Sequence, residues 1–429
     1  MRKLLHWALG KTVGDNTWYL CVEIFWATIY ASAQSFNGAY AIRLGATNSE
    51  ISLLSSVPAL TAVLIMLPAG RFLQSRDRRK NWLLGSLLVA RAGTLLFVMI
   101  PWLHLGSLSQ GTLFVAVLVL WTIPAHFFNL GFIPFLSQAV SEQNRADAFA
   151  TRNIISGGMI SLFNFLFGIW LVRVPFPINY QAMFVLGFTL SLLSIYYLSK
   201  VNVSDVPRIT VTHPTAPFWK SLTRQWSNFV SALSKVRGFT QIVINTFLHG
   251  IGLWFATPLY LLYFVRSLDA SEAWLGVLGS IASLSTIFGY IFWRKIIARW
   301  GEPKTLQLTI VALGLYPLLV GSIPSLTAIL FVAGLNGLIA PGVNLSHFNT
   351  FLKLIPEDKH HEYTALYLTL MNIGAFVCPI LGVALANRLG FAPVLVACGL
   401  VSIIGSTSFW IWPVTKSGQS QEDLAAERV

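Results

Sequence analysis

Charge is what this sequence of 429 residues has least of: Asp, Glu, Lys and Arg make up only 10%, against about 25% in a soluble globular domain. A water-soluble enzyme is excluded. Acids are scarcer than bases, 16 against 29. Cysteine is nearly absent, and Cys21, Cys378 and Cys398 all fall within apolar stretches, odd in number and without metal-ligand spacing. They read as small packing residues, so neither a disulfide framework nor a metal site is expected. No Walker A sequence, H-E-x-x-H or nucleophile elbow occurs. No cofactor is expected, and a membrane enzyme is the weakest reading.

What the sequence has is apolar length. Hydrophobic residues make up 55% and mean hydropathy is +0.67. The runs are too long and too unalternating for barrel strands of about ten residues, so they read as membrane-crossing helices. Twelve spans are expected, an all-α polytopic membrane protein. The first six lie near 17–42, 50–72, 81–103, 110–136, 153–172 and 179–198, and the second six near 239–265, 273–293, 305–323, 325–352, 362–386 and 391–412.

The basic residues sort by side of the membrane. With twelve spans, 24 of the 29 Lys and Arg fall on one side, and only Arg43, Arg173, Arg266 and Arg388 on the other, with Arg91 alone inside a span. By the positive-inside rule both termini are cytoplasmic. The formal charge of +13 is therefore topology, with some attraction to anionic lipid, and no nucleic-acid partner is expected. The basic N-terminus lacks a long enough apolar region for a signal peptide and reads as a cytoplasmic tail.

A stretch from 199 to 238 separates six spans from six, giving a half over 1–198, a cytoplasmic linker over 199–238, a second half over 239–412 and a tail over 413–429. In the linker Trp219, Leu222, Trp226, Phe229, Val230 and Leu233 recur at helical spacing with Lys220, Arg224 and Lys235 between them. That pattern predicts an interfacial amphipathic helix. The halves echo each other: Arg43 then Ser49-Glu50 follows the first span, and Arg266 then Ser271-Glu272 the seventh. Asn129-Leu130 lies before Glu142 as Asn344-Leu345 lies before Glu357. Such order suggests an internal repeat.

The stretch from Gly70 to Lys80, GRFLQSRDRRK, resembles the signature loop of the major facilitator superfamily, G-x-L-x-D-R-x-G-R-R/K. Gly70, Arg78 and Arg79 match, while Gln74 and Asp77 replace the family's Asp and second Gly. The corresponding loop in the second half keeps Arg299 and Gly301. Ser141 to Asn153, and Pro356-Glu357 through Pro379-Ile380-Leu381-Gly382, also look like family patterns. The resemblance implies a secondary transporter of two six-helix halves working by alternating access, usually a monomer. It makes Gly70, Gln74, Asp77, Arg78, Arg79, Arg299 and Gly301 gating-loop candidates. Gln74 weakens the ionic part of the family's latch. Gly276 and Gly279 on the eighth span, and Ser52, Ser55 and Ser56 on the second, mark lightly padded helix faces.

Glu23 and Arg91 lie about 9 Å and 15 Å from the cytoplasmic ends of their spans, and mid-bilayer charge costs roughly 2.5–3.5 kcal/mol. Glu23 is the leading proton-carrier candidate, with a structural ion pair as the bland alternative, and Arg91 is its candidate partner. His126, His249 and His347 are reserve relay candidates, although satisfied buried histidines are commoner. In the family the first, fourth, seventh and tenth helices line the cavity. On them Gln34, Asn37, Trp121, Asn129, Asn245, Trp254, Asn336 and Asn344 are cavity candidates, joined by Asn164 and Asn372 from the fifth and eleventh. Uncharged amides and rings suit a neutral or amphipathic small-molecule substrate, moved with a proton or another coupling ion across the plasma membrane. Drug efflux by antiport, and a non-transporting sensor signalling through the linker, are the alternatives.

Overall fold

The computed structural model describes residues 14–74, 76, 79–103, 106–203, 237–355 and 360–414. Among these the chain is helix and short connection, without a strand. The tail before residue 14, the amphipathic helix of the linker, Asp77 and Arg78 of the basic loop and the tail after 414 lie outside the described residues.

The first span is broken into α1 (Asp15–Gln34) and α2 (Asn37–Arg43), where a single helix over 17–42 is expected. The break has a local cause. The Ser35 hydroxyl donates to the Ser32 carbonyl at 2.6 Å, a bond that offers the backbone an alternative to helix continuation. The next five are α3 (Asn48–Gln74), α4 (Arg79–Met99), α5 (Gln110–Ala139), α6 (Glu142–Arg173) and α7 (Ile178–Lys200). The second set is α8 (Arg237–Leu262), α9 (Glu272–Trp300), α10 (Glu302–Ser322), α11 (Leu326–Leu354), α12 (His360–Leu389) and α13 (Phe391–Ile411). Eleven of the described helices are long and apolar enough to cross a membrane. The remaining crossing is α1 with α2, which carries Asp15, Asn16, Glu23 and Gln34 and is correspondingly less apolar.

Local signals set several ends. Ser109 caps α5 by accepting from the Thr112 N–H at 3.0 Å. Gly301 and Gly390 stand before α10 and α13 with φ of +76° and +89°, a region that a side chain disfavours. The gating-loop candidate Gly301 thus has a conformational reason to be glycine. At its end α8 widens into a π turn over Tyr263–Ser267.

The chain divides into two compact units, one running to Val211 and taking in Phe264–Ile287, the other Thr212–Tyr263 with Phe288–Val429. In the first, α1 packs on α6 and α7, α4 on α5 and α7, and α3 on α5. In the second, α8 packs on α12 and α13, and α10 on α11 and α13. Advanced by six spans, four of the first unit's pairings become those of the second, so the echo in the sequence is also an echo in packing. Tyr40 centres the first unit's aromatic core, stacked on Tyr180 at 4.7 Å and edge-on to Phe114 at 5.0 Å. In the second, Phe239, Phe351 and Tyr363 form a comparable cluster.

Candidate coupling site

Four helices of the first unit bring charge together. Glu23 of α1 is 2% exposed and Arg91 of α4 is 5% exposed. The direct partner of Glu23 is Arg152, whose Nη2 donates to Oε2 at 2.7 Å. The other carboxylate oxygen accepts from the Ser194 hydroxyl of α7 at 3.0 Å. Arg91 reaches the same hydroxyl oxygen from its Nη2 at 3.0 Å, and its Nη1 donates to the Ser191 carbonyl. Glu23 and Arg91 therefore meet through Ser194 rather than directly.

The apolar run assigned to the fifth span begins at 153, one residue after Arg152. The helix starts at Glu142, about three turns earlier, because charged residues at a membrane edge do not stop a helix. That extension turns Arg152 inward against Glu23. The missed signal was its position one residue beyond the apolar boundary.

From this centre polar groups continue along α1. The Arg91 guanidinium lies over the Tyr30 ring, 5.5 Å from its centroid. Tyr30 Oη and Thr94 Oγ1 are 3.0 Å apart, Gln34 Nε2 donates to Thr94 Oγ1 at 3.4 Å, and Asn37 Nδ2 donates to Gln34 Oε1 at 2.8 Å. Beside this ladder Ser35 Oγ donates to Asn164 Oδ1 at 3.0 Å. Five sequence candidates, Glu23, Arg91, Gln34, Asn37 and Asn164, thus fall in one connected region that extends about 20 Å along the helix axis.

A second cluster lies in the other unit. His249 Nδ1 is 2.8 Å from Ser406 Oγ and 3.0 Å from Ser402 Oγ. Ser406 donates its own proton to the Ser402 carbonyl at 2.7 Å, which leaves Nε2 as the ring nitrogen outside this serine pair. That Nε2 is buried without a protein partner. One turn earlier on α8, Thr246 Oγ1 lies 2.7 Å from His347 Nε2. Asn245 donates to the Trp412 carbonyl at 3.0 Å while its Oδ1 is buried and unpartnered.

The remaining candidates are dispersed. His126 is half-buried against the Pro58 carbonyl. Trp121 donates to the Val89 carbonyl at 2.8 Å and covers Gly93 so closely that a Cβ there would sit 1.9 Å from its ring. Trp254 similarly covers Gly250 and Gly374. Asn129 and Asn344 are exposed, Asn336 half-buried, and Asn372 donates back to the Leu368 carbonyl at 2.8 Å. Of the gating-loop residues, Arg79 donates to the Arg76 carbonyl at 3.3 Å, Arg299 is exposed near the end of α9, and Gly70 and Gln74 belong to α3.

Sequence reasoning saw Arg43 and Glu272 only as echoing positions. In the first unit they form a bidentate pair: Arg43 Nε donates to Glu272 Oε1 at 2.7 Å and Nη2 to Oε2 at 3.0 Å. Tyr180 donates to the same carboxylate at 3.2 Å, and Arg266 donates to the Ala46 carbonyl.

Residues 242–428 match the family model of the Major Facilitator Superfamily. That match covers less than half of the chain, in the part that holds its second set of helices. The fold is similar over nearly the whole length to solved transporters of low identity. A mutant of the nucleoside transporter NupG is 14% identical, with a TM-score of 0.71, covering 92% of this chain and 99% of its own. A POT family transporter in complex with a thioalcohol-conjugated peptide is 15% identical, at 0.68, covering 93% and 96%. The xylose transporter XylE from E. coli, inward open, is 12% identical, at 0.63, covering 96% and 98%. No curated protein matches the sequence. The chain is a multi-pass helical membrane protein with the fold of these solved transporters.

Proposed function

We propose that this chain is a secondary transporter of the major facilitator superfamily, which moves a small-molecule substrate by alternating access, coupled to protons through Glu23. The observation that supports this reading is the Glu23–Arg152 pair at 2.7 Å, buried and joined through Ser194 to Arg91. Protonation of this carboxylate removes the charge that fixes Arg152. One proton thereby changes the partners of helices α1, α6 and α7, which is what a coupling element must do. The polar ladder from Arg91 to Asn37 supplies hydroxyl and amide groups through which substrate or water can sense the change.

His249 supports a second reading, in which its unpartnered Nε2 takes the proton instead. The distribution of Lys and Arg supports a cytoplasmic place for both termini and for the linker between the halves, and the plasma membrane is the proposed location. The substrate class favoured by the amides of α1 is small and hydrogen-bonding. The test is substrate-dependent proton flux, read with a pH-sensitive dye in inverted vesicles under an imposed pH gradient, over sugars, nucleosides, amino acids, peptides and amphipathic drugs. A substrate that moves saturably without any proton signal overturns the coupling.

A further inference from the structure

The linker between the halves does not begin as a loose tether. Val201 is fully buried, in one apolar cluster with Leu73, Leu136, Ala139 and Ala148, so the first residues after α7 are packed into the end of the first unit. Their backbone is held from both sides. Lys80, at the start of α4, donates to the Ser199 carbonyl and to the Val201 carbonyl, each at 2.7 Å, which places a cation at a helix C-terminus. Asn16, at the start of α1, takes both backbone groups of Asn202. Its Nδ2 donates to the carbonyl at 2.7 Å and its Oδ1 accepts from the N–H at 2.8 Å.

The same amide reaches a third group. Asn16 Nδ2 also donates to the Ala139 carbonyl at 2.9 Å, the last carbonyl of α5, and Arg145 of α6 donates to the Ser137 carbonyl just before it at 2.8 Å. Helices α1 and α6 are therefore tied through the end of α5 at Asn16 and Arg145, and directly at Glu23 and Arg152. Positions 16 and 23 are seven residues apart, as are 145 and 152, which puts each pair on one helix face about 10 Å apart along the axis. Two rungs join the same two helices, and the rung at the helix starts carries the root of the linker.

We infer that residues 201–203 are a strap through which the linker controls the Glu23–Arg152 pair. While Asn202 sits in the Asn16 amide, α1 and α6 are held in register at their starts and Glu23 stays opposite Arg152. Pulling the strap away removes two of the three bonds that orient the Asn16 amide. Its hold on Ala139 weakens, and the direct rung is left to carry the contact alone. An event on the linker then reaches the buried pair without entering the membrane. The inference uses the geometry of the pair and does not rest on proton coupling.

Hydrogen exchange in full-length protein in lipid nanodiscs tests the strap, read by mass spectrometry on peptides spanning residues 199–203 and the part of α6 around Arg152. In Asn16→Ala the strap loses two bonds, and about tenfold faster exchange of the Asn202 amide is expected, together with faster exchange over the turn of α6 that holds Arg152. Lys80→Met, which releases the strap from its other side, should produce the same two changes. Because coupling is reciprocal, Glu23→Gln should speed exchange at Asn202. Gln181→Ala is the control: it deletes a bond to the Val98 carbonyl at the other end of the unit and should leave both segments at wild-type rates. An unchanged Asn202 amide in Asn16→Ala or in Glu23→Gln, a faster strap with α6 unaltered, or the same changes in Gln181→Ala would each overturn the strap. None of these readouts involves substrate or proton flux, so failure of the transport reading and failure of the strap are told apart.

Discussion

Arg43 and Glu272 are 229 positions apart and share two hydrogen bonds, at 2.7 and 3.0 Å. Each has its counterpart in the other half: Arg43 answers to Arg266, and Glu272, at the start of α9, answers to Glu50 in the first turn of α3. The reciprocal pair is not formed. Arg266 donates to the Ala46 carbonyl, while Glu50 is held by the Thr47 N–H at 2.6 Å and the Thr112 hydroxyl. One repeat-related pair is thus ionic and the other satisfied by neutral groups.

Because the side chain of Arg43 is 56% exposed while that of Glu272 is 8% exposed, the pair is screened on one side only. A double-mutant cycle with Arg43→Ala and Glu272→Ala should give a coupling of about 1 kcal/mol. Glu272→Ala should cost more than Arg43→Ala, since it also takes the acceptor from Tyr180. Thermal unfolding in nanodiscs measures both, and additive effects would show that the pair is incidental.

Removing one member of the Glu23–Arg152 pair exposes the cost of the other. Arg152→Gln leaves a buried carboxylate and should destabilise by about 3–5 kcal/mol, whereas the double variant Glu23→Gln, Arg152→Gln should recover a large part of that loss. Denaturant titration of the three variants distinguishes this from simple packing damage, which would make the double variant the least stable.

Gly276 and Gly168 let α9 and α6 touch. A Cβ on Gly276 would meet the Asn164 carbonyl oxygen at 2.4 Å and the Gly168 Cα at 2.9 Å. These are backbone atoms that cannot swing away, so Gly276→Ala should destabilise by roughly 1–3 kcal/mol. Gly158, where no atom stands within 4 Å of such a Cβ, is the control, and Gly158→Ala should be neutral or slightly stabilising.

If Glu23 carries the proton, His249→Asn should keep substrate-dependent proton flux, with loss confined to stability through Ser402 and Ser406. Abolished flux with intact folding, judged by an unchanged elution profile and Tm, would transfer the carrier to His249.

Much of the fold was legible because the bilayer makes it so. Apolar length marks the spans, and the side of each Lys and Arg checks the count. The echo of Arg43 with Arg266 likewise anticipated the repeated packing of α1 on α7 and α8 on α13. What periodicity cannot reveal is which polar residue faces which. Glu23 and Arg91 stood out because charge is costly in a membrane, yet Arg152 was sorted with the cytoplasmic cations, since hydropathy measures where apolar residues end and not where a helix begins. Ser194 and Thr94, the groups that join the site, are common small residues whose role only packing discloses. Trp121 and Trp254 stood out as cavity aromatics, and packing shows that each is also held close against glycine, Gly93 for Trp121 and Gly250 and Gly374 for Trp254.

The most direct measurement separates exchange from net transport in Glu23→Gln. Reconstituted liposomes would be assayed with the same labelled substrate for counterflow and for accumulation driven by a pH gradient. The account predicts that counterflow persists, because alternating access needs no net proton movement, while gradient-driven accumulation falls to the level of protein-free liposomes. Accumulation equal to wild type would contradict it, and Glu23 would then be a structural anchor for Arg152.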